Sequence, residues 1–160
     1  MIEFDKINKV VLEQTKKKGE VIYGAQSIKK QIGIVGRPTQ DWDILSKEAK
    51  KSARETEKQL EALKKGNQFY VKPAMHKGTY KIKHVGEDKK PQTKDDQDIA
   101  DYTQTDKYPP VKKINGVKFR TLTQEAKAKR MAIKDKAYAF RKEKDQEDLN
   151  RIKLKKLIFD

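Results

Sequence analysis

The chain has 160 residues, with 39 Lys and Arg against 24 Asp and Glu, and no cysteine. The formal charge of +15 fits polyanionic partners, nucleic acid or nucleotide phosphates, and fits a Lys-rich solvated surface equally well. Without cysteine there are no disulfides and no thiolate metal site; no apolar run reaches membrane-spanning length, and the acidic, amphipathic start is not a signal peptide. A cytoplasmic, membrane-free setting is the expectation.

The length points to a single domain over 1–160. Only 34% of residues are hydrophobic, but they recur periodically, which argues for a folded core over disorder. Residues 3–18 read as a helix, with Phe4, Ile7, Val10 and Val11 at helical steps and Gly19 as its stop. Glu20 to Tyr23 reads as a short strand, Gln26 to Ile32 as a helix before Gly33, and Gly33 to Gln40 as a loop. Asp41 to Leu45 is the next strand. Ser46 is the expected N-cap of a long helix reaching about Lys65, with Gly66 beyond it. Its stripe of Ala49, Ala53, Thr56, Leu60 and Leu63 is narrow, and the other faces carry Lys and Glu.

Further strands are expected at 69–71, 79–85 and 99–102, separated by the polar stretch Gly86 to Gln97. Asn115-Gly116 between two short β-like runs predicts a hairpin. Thr121 or Thr123 caps a helix bearing Ala126, Lys129, Ala132 and Ile133 on one face, and a last helix starts near Asp145. The resulting expectation is an α/β (α+β) fold: a core over about 20–122, closed by C-terminal helices over about 123–157. A small mixed, twisted sheet has its helices mainly on one face.

The chemistry centres on Asp41-Trp42-Asp43. On a strand, residues two apart share a face, so Asp41 and Asp43 stand side by side with Trp42 and Ile44 behind them. Carboxylates that close repel each other, and a divalent metal is one remedy; a turn-forming Asp pair is the plain alternative. Upstream, Gly24-Ala25 ends a strand and opens a helix, a place where backbone N–H groups suit phosphate oxygens. Asp101 offers a third acid near the end of the short strand 99–102, with Asp95, Asp96 and Asp98, in or next to the polar loop, as rivals. Ser27 serves as phosphate donor or helix cap. Lys129 lies on a small-residue face and either reaches phosphate or pairs with Asp145 or Asp148. Tyr23 and Trp42 read as core, and His76 and His84 as structural or exposed.

Tyr23-Gly24-Ala25, Ser27, Arg37-x-Thr39-x-Asp41 and Asp41-Trp42-Asp43, followed by Asn115-Gly116, Lys129-Arg130-Met131-Ala132 and Lys144-Asp145-Gln146-Glu147-Asp148-Leu149, resemble the nucleotidyltransferase superfamily of DNA polymerase beta-like fold. The likeness is to its minimal members and the AbiEii-type toxin enzymes, over about residues 20–152. Ala25 departs from the Gly or Ser usual there. The resemblance implies a nucleoside triphosphate substrate, two Mg²⁺ or Mn²⁺ ions on Asp41, Asp43 and Asp101, and nucleotide binding by Gly24, Ala25, Ser27 and Lys129. Arg37, Asp145 and Asp148 play supporting roles in it. It implies transfer of a nucleoside monophosphate to an acceptor hydroxyl with release of pyrophosphate. The acceptor is an RNA, transfer RNA included, or a protein, and an antitoxin-like protein is a candidate partner. A non-catalytic basic nucleic-acid binder on the same scaffold is the competing expectation.

Overall fold

The computed structural model describes residues 4–33, 41–63, 68–86, 91–93, 95–134 and 142–159. The first helix, α1 (Phe4–Lys18), buries Ile7, Val11 and Thr15, one residue per turn, and carries Lys16, Lys17 and Lys18 at its C-terminal end. Gly19 follows in the left-handed region at φ 66°. Strand β1 (Val21–Tyr23) leads through Gly24 into α2 (Ala25–Ile32), which Gly33 ends, its N–H donating to the Lys29 carbonyl. Strand β2 (Trp42–Ser46) has the alternating burial expected of it, with Trp42 and Ile44 buried and Asp43 half-exposed.

The next helix is shorter than the sequence pattern predicts. α3 (Ala49–Glu61) begins three residues after Ser46, which is the last residue of β2 and not an N-cap. The Ser46 hydroxyl instead accepts from the Glu48 N–H at 3.0 Å, tightening the turn between strand and helix. Gly66 lies outside the described residues. Of the predicted stripe, Ala49, Ala53, Thr56 and Leu60 are buried, whereas Leu63 is 41% exposed beyond the helix end.

Five strands follow, β3 (Phe69–Pro73), β4 (Thr79–His84), β5 (Gln97–Gln104), β6 (Val111–Ile114) and β7 (Val117–Arg120), and complete the sheet. β5 extends two residues beyond each end of the predicted 99–102, because its first residues, from Gln97, pair with β4 on one side and its last, to Gln104, pair with β2 on the other. Asn115 and Gly116 both have positive φ, 51° and 82°, the requirement of a type I′ hairpin turn. α4 (Leu122–Lys134) is capped by Thr121, whose Oγ1 accepts from the Gln124 N–H at 3.3 Å. α5 (Lys142–Phe159) starts three residues before Asp145.

The seven strands run in the order β3-β4-β5-β2-β1-β7-β6. β1 is parallel to β7 and β2 to β5, and the other neighbours are antiparallel. Helices α1 and α3 pack on one face, where Ile22, Ile44, Ile82, Ala100, Tyr102 and Phe119 meet Val11, Ala49, Ala53 and Leu60. The alanines let α3 approach the strands closely. Thr56 and Tyr102 then hydrogen-bond through their hydroxyls at 2.7 Å, so the polar atoms this approach buries are satisfied. A second, smaller cluster of Ile28, Ala126, Leu149 and Ile152 joins α2, α4 and α5. Among the described residues, no helix is long and apolar enough to cross a membrane.

Candidate active site

The face of the sheet turned away from α1 and α3 carries the acids. Strand register does the work. Asp43 lies directly beside Tyr23 of β1 and beside Asp101 of β5, and Asp101 lies directly beside Lys81 of β4. A row Lys81–Asp101–Asp43–Tyr23 thus crosses four strands at one level. Asp41 joins it from the residue just before β2. One carboxylate oxygen from each of Asp41, Asp43 and Asp101 lies within 4.8 Å of the others, and all three side chains are partly exposed. The rivals of Asp101 are engaged elsewhere: Asp96 accepts from the Tyr70 hydroxyl, Asp95 from Thr93 Oγ1 at 2.7 Å, and Asp98 pairs with Lys83 at 3.2 Å.

Like charges directly opposite on neighbouring strands, as Asp43 and Asp101 are, are unfavourable. Burial pushes the Asp101 carboxyl above its ordinary pKa; Lys81 opposes that shift, and the negative charges of Asp41 and Asp98 add to it. Burial, with the Asp43 charge behind it, raises the Tyr23 phenol to about 12. Tyr23 is half-buried on the acid face and does not belong to the helix-covered core. Its hydroxyl meets Thr103 Oγ1 at 3.0 Å, and Arg120 lies over its ring at 4.9 Å from the centroid.

Gly24 sits where only glycine fits. Its φ of 73° with ψ of −148° is a conformation that side chains oppose, and a Cβ there would stand 2.8 Å from Asp43 Oδ2. The Gly24 N–H donates to Glu125 Oε1 at 2.9 Å. Glu125 is fully buried and also receives Arg120 through Nε at 2.7 Å and an Nη at 3.0 Å. The turn before α2 is therefore fixed from behind by α4 and β7. Gly24→Ala is expected to cost about 1–3 kcal/mol from backbone strain alone. It should also push the Asp43 carboxylate out of line, lowering divalent-cation affinity. Denaturant unfolding and a metal titration on the same variant check both parts.

The other sequence-predicted residues divide as follows. Ala25 opens α2 and is half-exposed. Ser27 is fully buried, and its hydroxyl donates to the Arg120 carbonyl at 2.8 Å, a bond that ties α2 to β7. Lys129 is buried between α4 and α5 with its Nζ 3.0 Å from Asp145 and 3.4 Å from Asp148, so of the two expectations for it the pairing is what the fold displays. Arg37 lies outside the described residues. Sequence reasoning passed over Lys81, Arg120 and Glu125. For Glu125 a signal existed: Glu125, Ala126 and Lys129 recur at helical spacing on the buried face of α4.

Three clustered, partly exposed carboxylates are the hard oxygen donors that Mg²⁺ or Mn²⁺ prefers, and their mutual repulsion is what such an ion relieves. The residues present therefore fit a divalent cation.

The chain matches no family model and no curated protein. Among solved structures it is similar to the Megavirus polyadenylate synthase, with a TM-score of 0.75 at 16% identity over 94% of this chain and 31% of that one. It is also similar to JHP933 from Helicobacter pylori, with a TM-score of 0.63 at 16% identity over 91% of this chain and 62% of that one. The chain thus spans about a third of the viral enzyme and under two thirds of the bacterial protein. Neither likeness singles out the toxin-type branch. What the likeness shows is the fold, an α+β arrangement of the nucleotidyltransferase-like kind.

Proposed function

We propose that this protein is a metal-dependent nucleotidyltransferase that moves a nucleoside monophosphate from a nucleoside triphosphate to an acceptor hydroxyl. The observation that carries the reading is the convergence of Asp41, Asp43 and Asp101 within 4.8 Å on a nucleotidyltransferase-like sheet. When bound there, Mg²⁺ or Mn²⁺ would neutralise phosphate charge and acidify the attacking hydroxyl. Asp41 and Asp43 would hold the ions. Asp101 would complete the set and take up the hydroxyl proton. Gly24 and Ala25 let the triphosphate approach the start of α2. Ser27 and Lys129, both buried, keep α2 and α4 in place beneath it, with Asp145 and Asp148 as the partners of Lys129.

The test is incubation with each labelled nucleoside triphosphate, Mg²⁺ or Mn²⁺, and total RNA. A labelled product and released pyrophosphate, both lost with chelator, are expected. RNA binding without pyrophosphate release would instead mark a non-catalytic nucleic-acid binder.

The +15 charge supports RNA, transfer RNA included, over a protein as the acceptor. Lys50, Arg54 and Lys58 form an exposed stripe on α3, at four-residue steps and away from its buried side. Log affinity for single-stranded RNA should fall linearly with log salt, by about 0.7 per phosphate neutralised. Replacing the three residues by alanine should flatten that slope by about 2 if each meets a phosphate. A salt series on both proteins checks this. A flat response in the unaltered protein would turn the reading toward a protein acceptor.

A further inference from the structure

Lys81 is the one cation in the acid row, and nothing in the proposed chemistry uses it. It stands directly beside Asp101 in the β4–β5 register, as Asp43 does from the other side. Its Nζ lies 3.4 Å and 3.5 Å from the two Asp101 oxygens and 3.6 Å from Asp98 Oδ2. These distances are long for directional hydrogen bonds and mark a charge shared between two carboxylates. Asp98 is 43% exposed at its side chain and also meets Lys83 at 3.2 Å, so it lies at the edge of the cluster, whereas Asp101 belongs to the triad.

We infer that Lys81 is a tethered counter-cation of the metal site: it neutralises Asp101 while the site lacks a metal and withdraws to Asp98 when a divalent ion takes Asp101. The inference rests on the three carboxylates being the metal site. The physical argument is competition. An ammonium within salt-bridge reach of a ligand carboxylate occupies the charge that the ion needs, and it repels the ion as well. Without it, the directly opposed Asp43 and Asp101 would face each other uncompensated. Asp98 supplies the second position, close enough to Asp101 that the ammonium moves between them without leaving negative charge or entering the covered core. Lys81 is on this account a positioning residue. It sets how tightly and how readily the site loads, and it lies on the β4 side of Asp101, away from the Gly24 turn.

The experiment measures Mn²⁺ affinity by titration and thermal stability in chelator, for the unaltered protein, Lys81→Met, Lys81→Gln and Lys81→Arg. Both neutral variants should bind Mn²⁺ roughly tenfold more tightly, the effect of removing one unit charge from beside a divalent ion under solvent screening. They should also melt lower in chelator, and that deficit should close or reverse with saturating Mn²⁺. Lys81→Arg should restore the original affinity, which a purely structural lysine would not require. Asp98→Asn should weaken Mn²⁺ binding, and should weaken it less when made together with Lys81→Met, because its effect passes through the ammonium. Unchanged or weaker Mn²⁺ binding in the neutral variants overturns the inference and leaves the metal site standing. Equal effects of Asp98→Asn in both backgrounds overturn the part given to Asp98. Absence of Mn²⁺ binding in every variant overturns the inference and the proposed function together.

Discussion

Asp43→Asn is expected to abolish nucleotidyl transfer while leaving the protein folded. The charge it removes is the one flanked by Asp101 on one side and the Gly24 turn on the other, so a metal held there loses its central ligand. Metal-centred charge stabilisation amounts to several kcal/mol; about 4 kcal/mol corresponds to roughly 10³ in rate. Asp41→Asn and Asp101→Asn should fall with it. Stability without metal should move the other way. Asp101 has a folded pKa raised above its unfolded value, so between those values the folded state holds more protons than the unfolded state. Stability then falls as pH rises through that window: the contribution is complete below the ordinary carboxylate pKa and is lost above the raised one. Near neutral pH the Asp101 charge therefore works against the fold, and Asp101→Asn in chelator should melt at or above the unaltered protein. Thermal melts across the acid-to-neutral range, paired with pyrophosphate assays, check both halves. Retained transfer in the Asp43 or Asp41 variant would reject their metal role.

Much of this site was legible because strand alternation is a local rule. Asp41 and Asp43 had to share a face once Trp42 and Ile44 were assigned to the core. The Gly24 turn and the Asn115-Gly116 hairpin were equally local, each a place where positive φ is required. Register between distant strands is a different matter. Nothing in the sequence places Lys81 beside Asp101, or Asp101 beside Asp43, because those pairings depend on how β4, β5 and β2 slide against one another. Tyr23 reads as core because it ends an apolar run, yet it lies at the level of Asp43 and therefore on the acid face. Ser46 has the composition of a helix cap, but β2 extends through it to pair with Gln104, so the strand claims it. The branch-level likeness to toxin enzymes rested on Arg37-x-Thr39-x-Asp41, whose Arg37 and Thr39 lie outside the described residues, and on short C-terminal motifs. Their residues Lys129, Asp145 and Asp148 turn out to hold two helices together, a job that many folds share.

Lys129→Met should be strongly destabilising. The lysine side chain is 9% exposed, and its partners Asp145 and Asp148 are 1% and 4% exposed. Removing one partner of a buried ion pair costs about 3–5 kcal/mol, because the remaining charge keeps its desolvation penalty and loses its compensation. Arg151 approaches Asp148 at 3.3 Å from the more exposed side and softens the loss there. Lys129→Met combined with Asp145→Leu should recover most of the stability, since well-packed apolar groups replace buried ion pairs at little cost. Denaturant midpoints of the single and double variants measure this directly. The same pair of proteins decides between the two roles open to Lys129. If it only locks α4 to α5, the double variant regains nucleotide affinity along with stability. If its charge serves the triphosphate, stability returns and nucleotide affinity does not.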